Sequence, residues 1–126
     1  MLMTFDYTIW HDDSVVTVKT QGVFDYLKTY DMWKAIVATC EANDCFDVIG
    51  LSGMEEPMPT VEAYDYTSLF EGAGITPRYR IAWVASELQV RDRLHAVEIV
   101  LRDRGPYNVR VFEILSDAKR WLVDGG

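Results

Sequence analysis

Apolar and polar residues alternate through residues 5–9, with Phe5, Tyr7 and Ile9 on one side and Asp6 and Thr8 on the other. That period of two predicts a half-buried strand. The polar stretch His11, Asp12, Asp13 and Ser14 predicts a turn, and the run Val15 to Thr20 a second strand. Residues 4–20 therefore read as an antiparallel hairpin, closed by Gly22. The period then becomes helical. Val23, Tyr26, Leu27, Tyr30, Trp33, Val37 and Cys40 share one face, and Asp25, Lys28, Asp31 and Lys34 the other. This predicts an amphipathic helix from about Val23 to Glu41, with Met32 and Ile36 off its buried stripe.

Asp47 to Leu51 is a short apolar run, read as a central strand that Ser52 and Gly53 close. A loop follows from Met54 to Pro59. Thr60 is placed to cap a helix from Val61 to about Glu71, which Gly72, Gly74 and Pro77 end. In that helix Val61 and Tyr64 face one way and Tyr66 and Phe70 another, so the pattern leaves its buried side open. Residues 78–86 read as a buried strand. Leu88 to Arg104 reads as a helix that buries Val90, Leu94, Val97 and Leu101 and turns Ile99 outward with Arg91, His95 and Arg102. After Gly105 and Pro106, Asn108 to Ile114 reads as a strand and Ser116 to Val123 as a closing helix with Ala118, Trp121 and Leu122 on one side. The order is ββαβαβαβα. Short joints between alternating strands and helices predict the α/β class, a five-stranded mixed, mostly parallel sheet with helices on both faces.

Composition narrows the function. At 126 residues the chain reads as a single domain, residues 1–126, large enough to fold without a metal or disulfide. A net charge of −8 argues against nucleic acid and against anionic membrane surfaces. The charge is uneven: residues 1–77 carry −10 and residues 78–126 carry +2. Cys40 and Cys45 do not have zinc-ligand spacing, so both thiols are expected reduced and no metal is expected. No run of ~20 apolar residues predicts membrane insertion. The first residues lack the basic and apolar regions of a signal peptide, so a cytoplasmic protein is expected.

The pattern resembles the STAS group, and within it the SpoIIAA-like proteins. The resemblance rests on the strand Arg80 to Val84 followed by a charged helix, on Val109 to Phe112, and on Ala118 with Trp121 and Leu122. The N-terminal hairpin, the long first helix and the strand exit at Leu51, Ser52 and Gly53 agree with it. It implies a non-enzymatic regulatory or ligand-binding module of bacteria. In the anti-sigma antagonists of this group a phosphorylatable Ser or Thr starts the helix after the third strand. That position falls near Thr60, although Pro59 stands where those proteins usually carry an acidic residue.

The candidate residues follow. Thr60 is the candidate phosphoacceptor, because a phosphate at a helix N-terminus meets free backbone N–H groups. Ser52, Met54, Glu55, Glu56 and Met58 form the candidate ligand or partner loop, since ligands of open α/β sheets bind beyond the carboxyl ends of parallel strands and Met adapts to varied apolar partners. Met32, Ile36 and Ile99 are apolar residues left outside the predicted core, and so form the candidate interface of a homodimer. Tyr26, Tyr30 and Trp33 read as packing, with pocket lining as the alternative. His95 and His11 read as solvent-facing, and Glu55 and Glu56 diverge too far to share one proton. No catalytic residue and no cofactor is expected. A regulatory protein-binding module is the first reading. A carrier of a small apolar ligand, with its pocket at the 52–60 loop, is the alternative.

Overall fold

The computed structural model describes residues 4–12, 14–59 and 65–124. Its elements are β1 (Asp6–Asp12), β2 (Val15–Gly22), α1 (Tyr26–Asn43), β3 (Asp47–Met54), α2 (Tyr66–Ala73), β4 (Arg80–Val84), α3 (Leu88–Arg104), β5 (Asn108–Phe112) and α4 (Leu115–Asp124). The order is the expected one. The five strands form one sheet in chain order. β1 pairs antiparallel with β2, and β2 to β5 run parallel.

Alternation along each strand divides the core. Val16, Val18, Val48, Ile81, Trp83, Val109 and Val111 face α1, α2 and α3 in the larger cluster. Ile49 and Ala82 face Ala118 and Leu122 of α4 in the smaller one. Both faces carry helices, as expected, and among the described residues three lie on one face and one on the other. The three crossover helices share a face because each strand pairs with its neighbour in the chain. α4 leaves the edge strand β5 and folds back over the other side.

The hairpin reaches further than its pattern predicts. His11 is the partner of Val16 within the ladder rather than a turn residue. Gly22 ends β2 at φ +94°, and a Cβ there would stand 1.9 Å from the Thr4 carbonyl oxygen. Only glycine fits that crossing. β3 continues through Met54 instead of ending at Leu51, because Thr20, Gln21 and Gly22 extend the ladder beside it.

α1 starts at Tyr26 and not Val23, because the Asp25 carboxylate caps it by accepting from the Lys28 backbone N–H at 3.0 Å. Its buried face differs from the predicted stripe. Thr29, Met32, Trp33, Ile36 and Cys40 are buried, whereas Leu27 is 72% exposed. The helix is wedged between the sheet and α2, so its buried arc turns toward Met32 and Ile36. Tyr26, Tyr30 and Val37 lie at the other margin, partly buried. Met32 and Ile36 are therefore core residues and not an interface. Ile99 is 60% exposed, as expected. α3 and the closing helix also match in their buried faces: Val90, Val97 and Leu101 are buried with Leu94 beside them, and Ala118 and Leu122 are buried with Trp121 half-buried. Arg91 departs from the expected outward side, because its guanidinium turns back to donate to the Ala85 and Ser86 carbonyls.

At the carboxyl side of β3 the fold leaves a space. Gly50 and Trp83 are partners across β3 and β4, and the indole lies over the glycine. A Cβ at Gly50 would stand 2.0 Å from the ring. Trp83 also meets Trp33 of α1, with ring centroids 5.4 Å apart. This flat floor, with helices on its flanks, holds open the cavity described next.

Candidate functional site

A cavity of about 60 Å³ lies between the sheet, α1, α2 and α3. A water needs roughly 10–15 Å³ of such space, so the cavity exceeds what a single water fills. Its walls are overwhelmingly apolar. Trp33, Phe70, Trp83, Val97, Leu101 and Val111 supply most of them. The rings interlock: Trp33 meets Phe70 edge-on at 4.7 Å and Tyr66 at 6.4 Å. Such T-shaped pairs set the walls in defined orientations.

The loop after β3 roofs the mouth. Its first residue is anchored where the Glu55 N–H donates to the Gly22 carbonyl at 3.0 Å. Farther along, the Arg93 guanidinium of α3 donates to the Met58 carbonyl, and Met58 is buried. Ser52, Met54, Glu56 and Met58 all line the cavity, so the predicted ligand loop is brought to a pocket. Glu55 is exposed and is not among the lining residues. Thr60 lies outside the described residues. Met32 joins the wall, so a residue expected on an interface belongs to the pocket. Trp33 lines it too, whereas Tyr26 and Tyr30 do not.

Polar groups interrupt the walls at few places. The Trp33 indole N–H donates to the Tyr66 hydroxyl at 2.9 Å, which satisfies both rings inside the core. Burial pushes the Tyr66 phenol well above its ordinary range, so it stays protonated. Thr20 and Thr29 are each 2% exposed, line the cavity, and have no hydrogen-bond partner for their hydroxyls among the described residues. Buried hydroxyls are nearly always paired, and a water or a ligand group in the cavity would answer these two. Arg93 is the one cation among the lining residues, and no ion pair to it occurs among the described residues.

Thr20, Thr29, Tyr66, Trp83 and Arg93 are not in the predicted site. Thr29 carries a readable signal: a polar side chain one turn before Trp33 on an apolar helix. Thr20 and Arg93 carry none, because their roles depend on which elements meet.

Among the described residues no three His, Cys, Asp or Glu side chains gather as a metal site would require. His95 is half-exposed and lies 3.5 Å from Glu98. Cys40 is free and buried, and burial pushes its thiol up to about 12. At neutral pH it is the unreactive thiol. No described helix is long and apolar enough to cross a membrane.

The sequence matches no protein-family profile and no curated protein. Its structure is similar to that of an anti-sigma factor antagonist from Mycobacterium paratuberculosis, with a TM-score of 0.66 at 18% identity. The likeness covers 96% of this chain and 96% of that one. It runs through every element from hairpin to closing helix, and so the chain has the anti-sigma factor antagonist, or STAS, fold.

Proposed function

We propose that this chain is a non-catalytic regulatory module of the STAS type that works in the bacterial cytoplasm by binding a protein partner. The observation that supports this reading is the end-to-end likeness to an anti-sigma factor antagonist, which leaves almost no part of either chain unmatched. The partner surface in this reading is the loop after β3, where Glu55 and Glu56 are exposed above the pocket mouth. Thr60 serves in this reading as the phosphoacceptor, since an added phosphate changes the charge offered to a partner. Of the three residues expected at an interface only Ile99 is exposed, and light scattering tests whether it supports a dimer.

The test uses the anti-sigma factors encoded in the same genome, each titrated against this protein by calorimetry. Binding to one of them, weakened when Glu55 and Glu56 are replaced by Lys, is the expected result. Incubation with a cognate kinase should add one phosphate by intact mass to the parent protein and none to Thr60→Ala. Failure to bind any of them would remove the regulatory reading.

The cavity favours a second reading, a carrier or sensor of a small apolar ligand. Its support is the apolar cavity with two buried hydroxyls unpaired among the described residues, which a protein-docking surface does not need.

A further inference from the structure

We infer that the cavity takes a short-chain carboxylic acid, with the carboxylate at the mouth beside Thr20, Thr29 and Arg93 and the alkyl tail between α1 and α3. This rests on the small-ligand reading above and gives that ligand its chemical class.

Polarity is sorted along the cavity. β2 to β5 are parallel, so their carboxyl ends share one side of the sheet. Thr20 lies two residues before the end of β2, and Ser52 is its partner in β3. Thr29 is in the first turn of α1, and Arg93 is in the second turn of α3. Both helices begin where their strands end, so all four polar residues belong to the mouth. Deeper in the cavity the wall is Ile81, Val97, Leu101 and Val109. A molecule with a polar head and a plain hydrocarbon tail matches that division.

The head is identified by the donors that face it. Thr20 and Thr29 each offer an O–H with no acceptor among the described residues. Arg93 uses one nitrogen on the Met58 carbonyl and keeps further N–H donors. Two hydroxyls and a guanidinium make a donor set with positive charge, which suits a carboxylate better than an alcohol or an amine. The N-terminal turns of α1 and α3 open on the same side and add to the favourable potential. Glu56 stands exposed on the rim, where water screens it. Water alone would answer the hydroxyls, but it would leave the apolar depth of the cavity without contacts.

The tail is limited by volume. Space for on the order of four to six water-sized centres admits a short acyl chain and no large ring system. Trp33 and Trp83 border that space, so binding changes their emission directly.

The experiment titrates the intact protein with butanoate and with butanol, following tryptophan emission. The parent protein is compared with the Thr20→Val/Thr29→Val double variant and with Arg93→Gln. Valine keeps the shape of threonine and removes an orphan hydroxyl, so the double variant should fold and melt at or above the parent temperature. Saturable butanoate binding is expected, with butanol weaker by at least about tenfold. The double variant should bind butanoate at least about tenfold more weakly. Arg93→Gln should weaken butanoate and leave butanol unchanged. Butanol binding as tightly as butanoate, or Arg93→Gln without effect on butanoate, would overturn the carboxylate assignment while keeping the ligand reading. Unchanged butanoate affinity in the double variant would overturn the assignment of the head to the mouth. If neither compound binds the parent, both the inference and the carrier reading fall, and the regulatory proposal stands on its own test.

Discussion

The Trp33 indole N–H donates to the Tyr66 hydroxyl at 2.9 Å, joining α1 to α2 across the roof of the cavity. The two residues are 33 positions apart and nearly fully buried. Each ring packs as an apolar body, and each polar tip answers the other, so neither leaves an unpaired group in the core.

Replacing Tyr66 by Phe keeps the ring and strands the indole N–H. Urea melts should show a loss of about 1–3 kcal/mol, the cost of leaving a buried donor unpaired. Replacing Trp33 by Phe in the same background should add less than it does alone, because the shared bond is already gone. Strictly additive losses in that cycle would show that the bond contributes nothing.

Gly50→Ala tests the floor of the cavity. The added methyl would stand 2.0 Å from the Trp83 ring, so the indole must move. Overpacking of this kind costs about 1–3 kcal/mol. The near-UV circular dichroism of the tryptophans should change as well. A variant with parent stability and an unchanged spectrum would mean that Trp83 does not rest on Gly50.

Cys40 sets an alkaline limit on stability. Burial raises its thiol from 9.0 in the unfolded chain to about 12 in the fold. Above pH 9.0 the unfolded chain loses this proton first, so it binds fewer protons than the native state and stability falls as pH rises. The contribution is complete below pH 9.0 and is lost progressively up to about pH 12. Buried Tyr66 adds a fall of the same sign above pH 10.0, the ordinary value of a phenol. Denaturation of Cys40→Ala from pH 8 to 11 should therefore show a shallower decline than the parent. Equal slopes would show that the thiol is not held protonated.

The closing helix is held by its C-terminal turn. Arg80 grips Asp47 with two hydrogen bonds of 3.1 and 3.0 Å and also donates to the Leu122 carbonyl, tying β3 and β4 to α4. Trp121 packs on Phe112 with centroids 5.9 Å apart and is only half-buried. Trp121→Ala should cost about 2 kcal/mol, below the range for a fully buried aromatic. Arg80→Met should cost about 1–3 kcal/mol, because Asp47 and the carbonyl lose a charged donor. Thermal melts with no shift for either variant would mean that α4 is not docked as described.

Much of the fold can be read from local pattern. Val15 to Thr20, residues 80–84 and residues 108–112 are strands because β-branched and aromatic residues repeat there between turn residues. The helix at about Leu88 to Arg104 is legible too, because its apolar residues keep a helical period and Gly105 and Pro106 stop it. The likeness in type and order to STAS proteins follows from these signals together. α1 shows the limit. Its tyrosines and Leu27 suggest one stripe, but the sheet and α2 press on it from two directions and bury Met32 and Ile36 instead. A single-helix period carries no information about a second neighbour. The site divides in the same way: Ser52, Met54, Glu56 and Met58 were legible from the rule that loops after parallel strands bind ligands, while Thr20 and Arg93 were not.

By itself the sequence determined the element order, the α/β class, the parallel C-terminal half and the position of the loop at a strand exit. These depend on period, propensity and stop signals within a few residues of one another. Tertiary structure alone decided that Trp83 lies across Gly50, that Thr20 and Thr29 face one apolar space without partners, and that Arg93 holds the Met58 carbonyl above it. Those relations join residues from different strands and helices, and only the packing of helices against the sheet sets the distances between them.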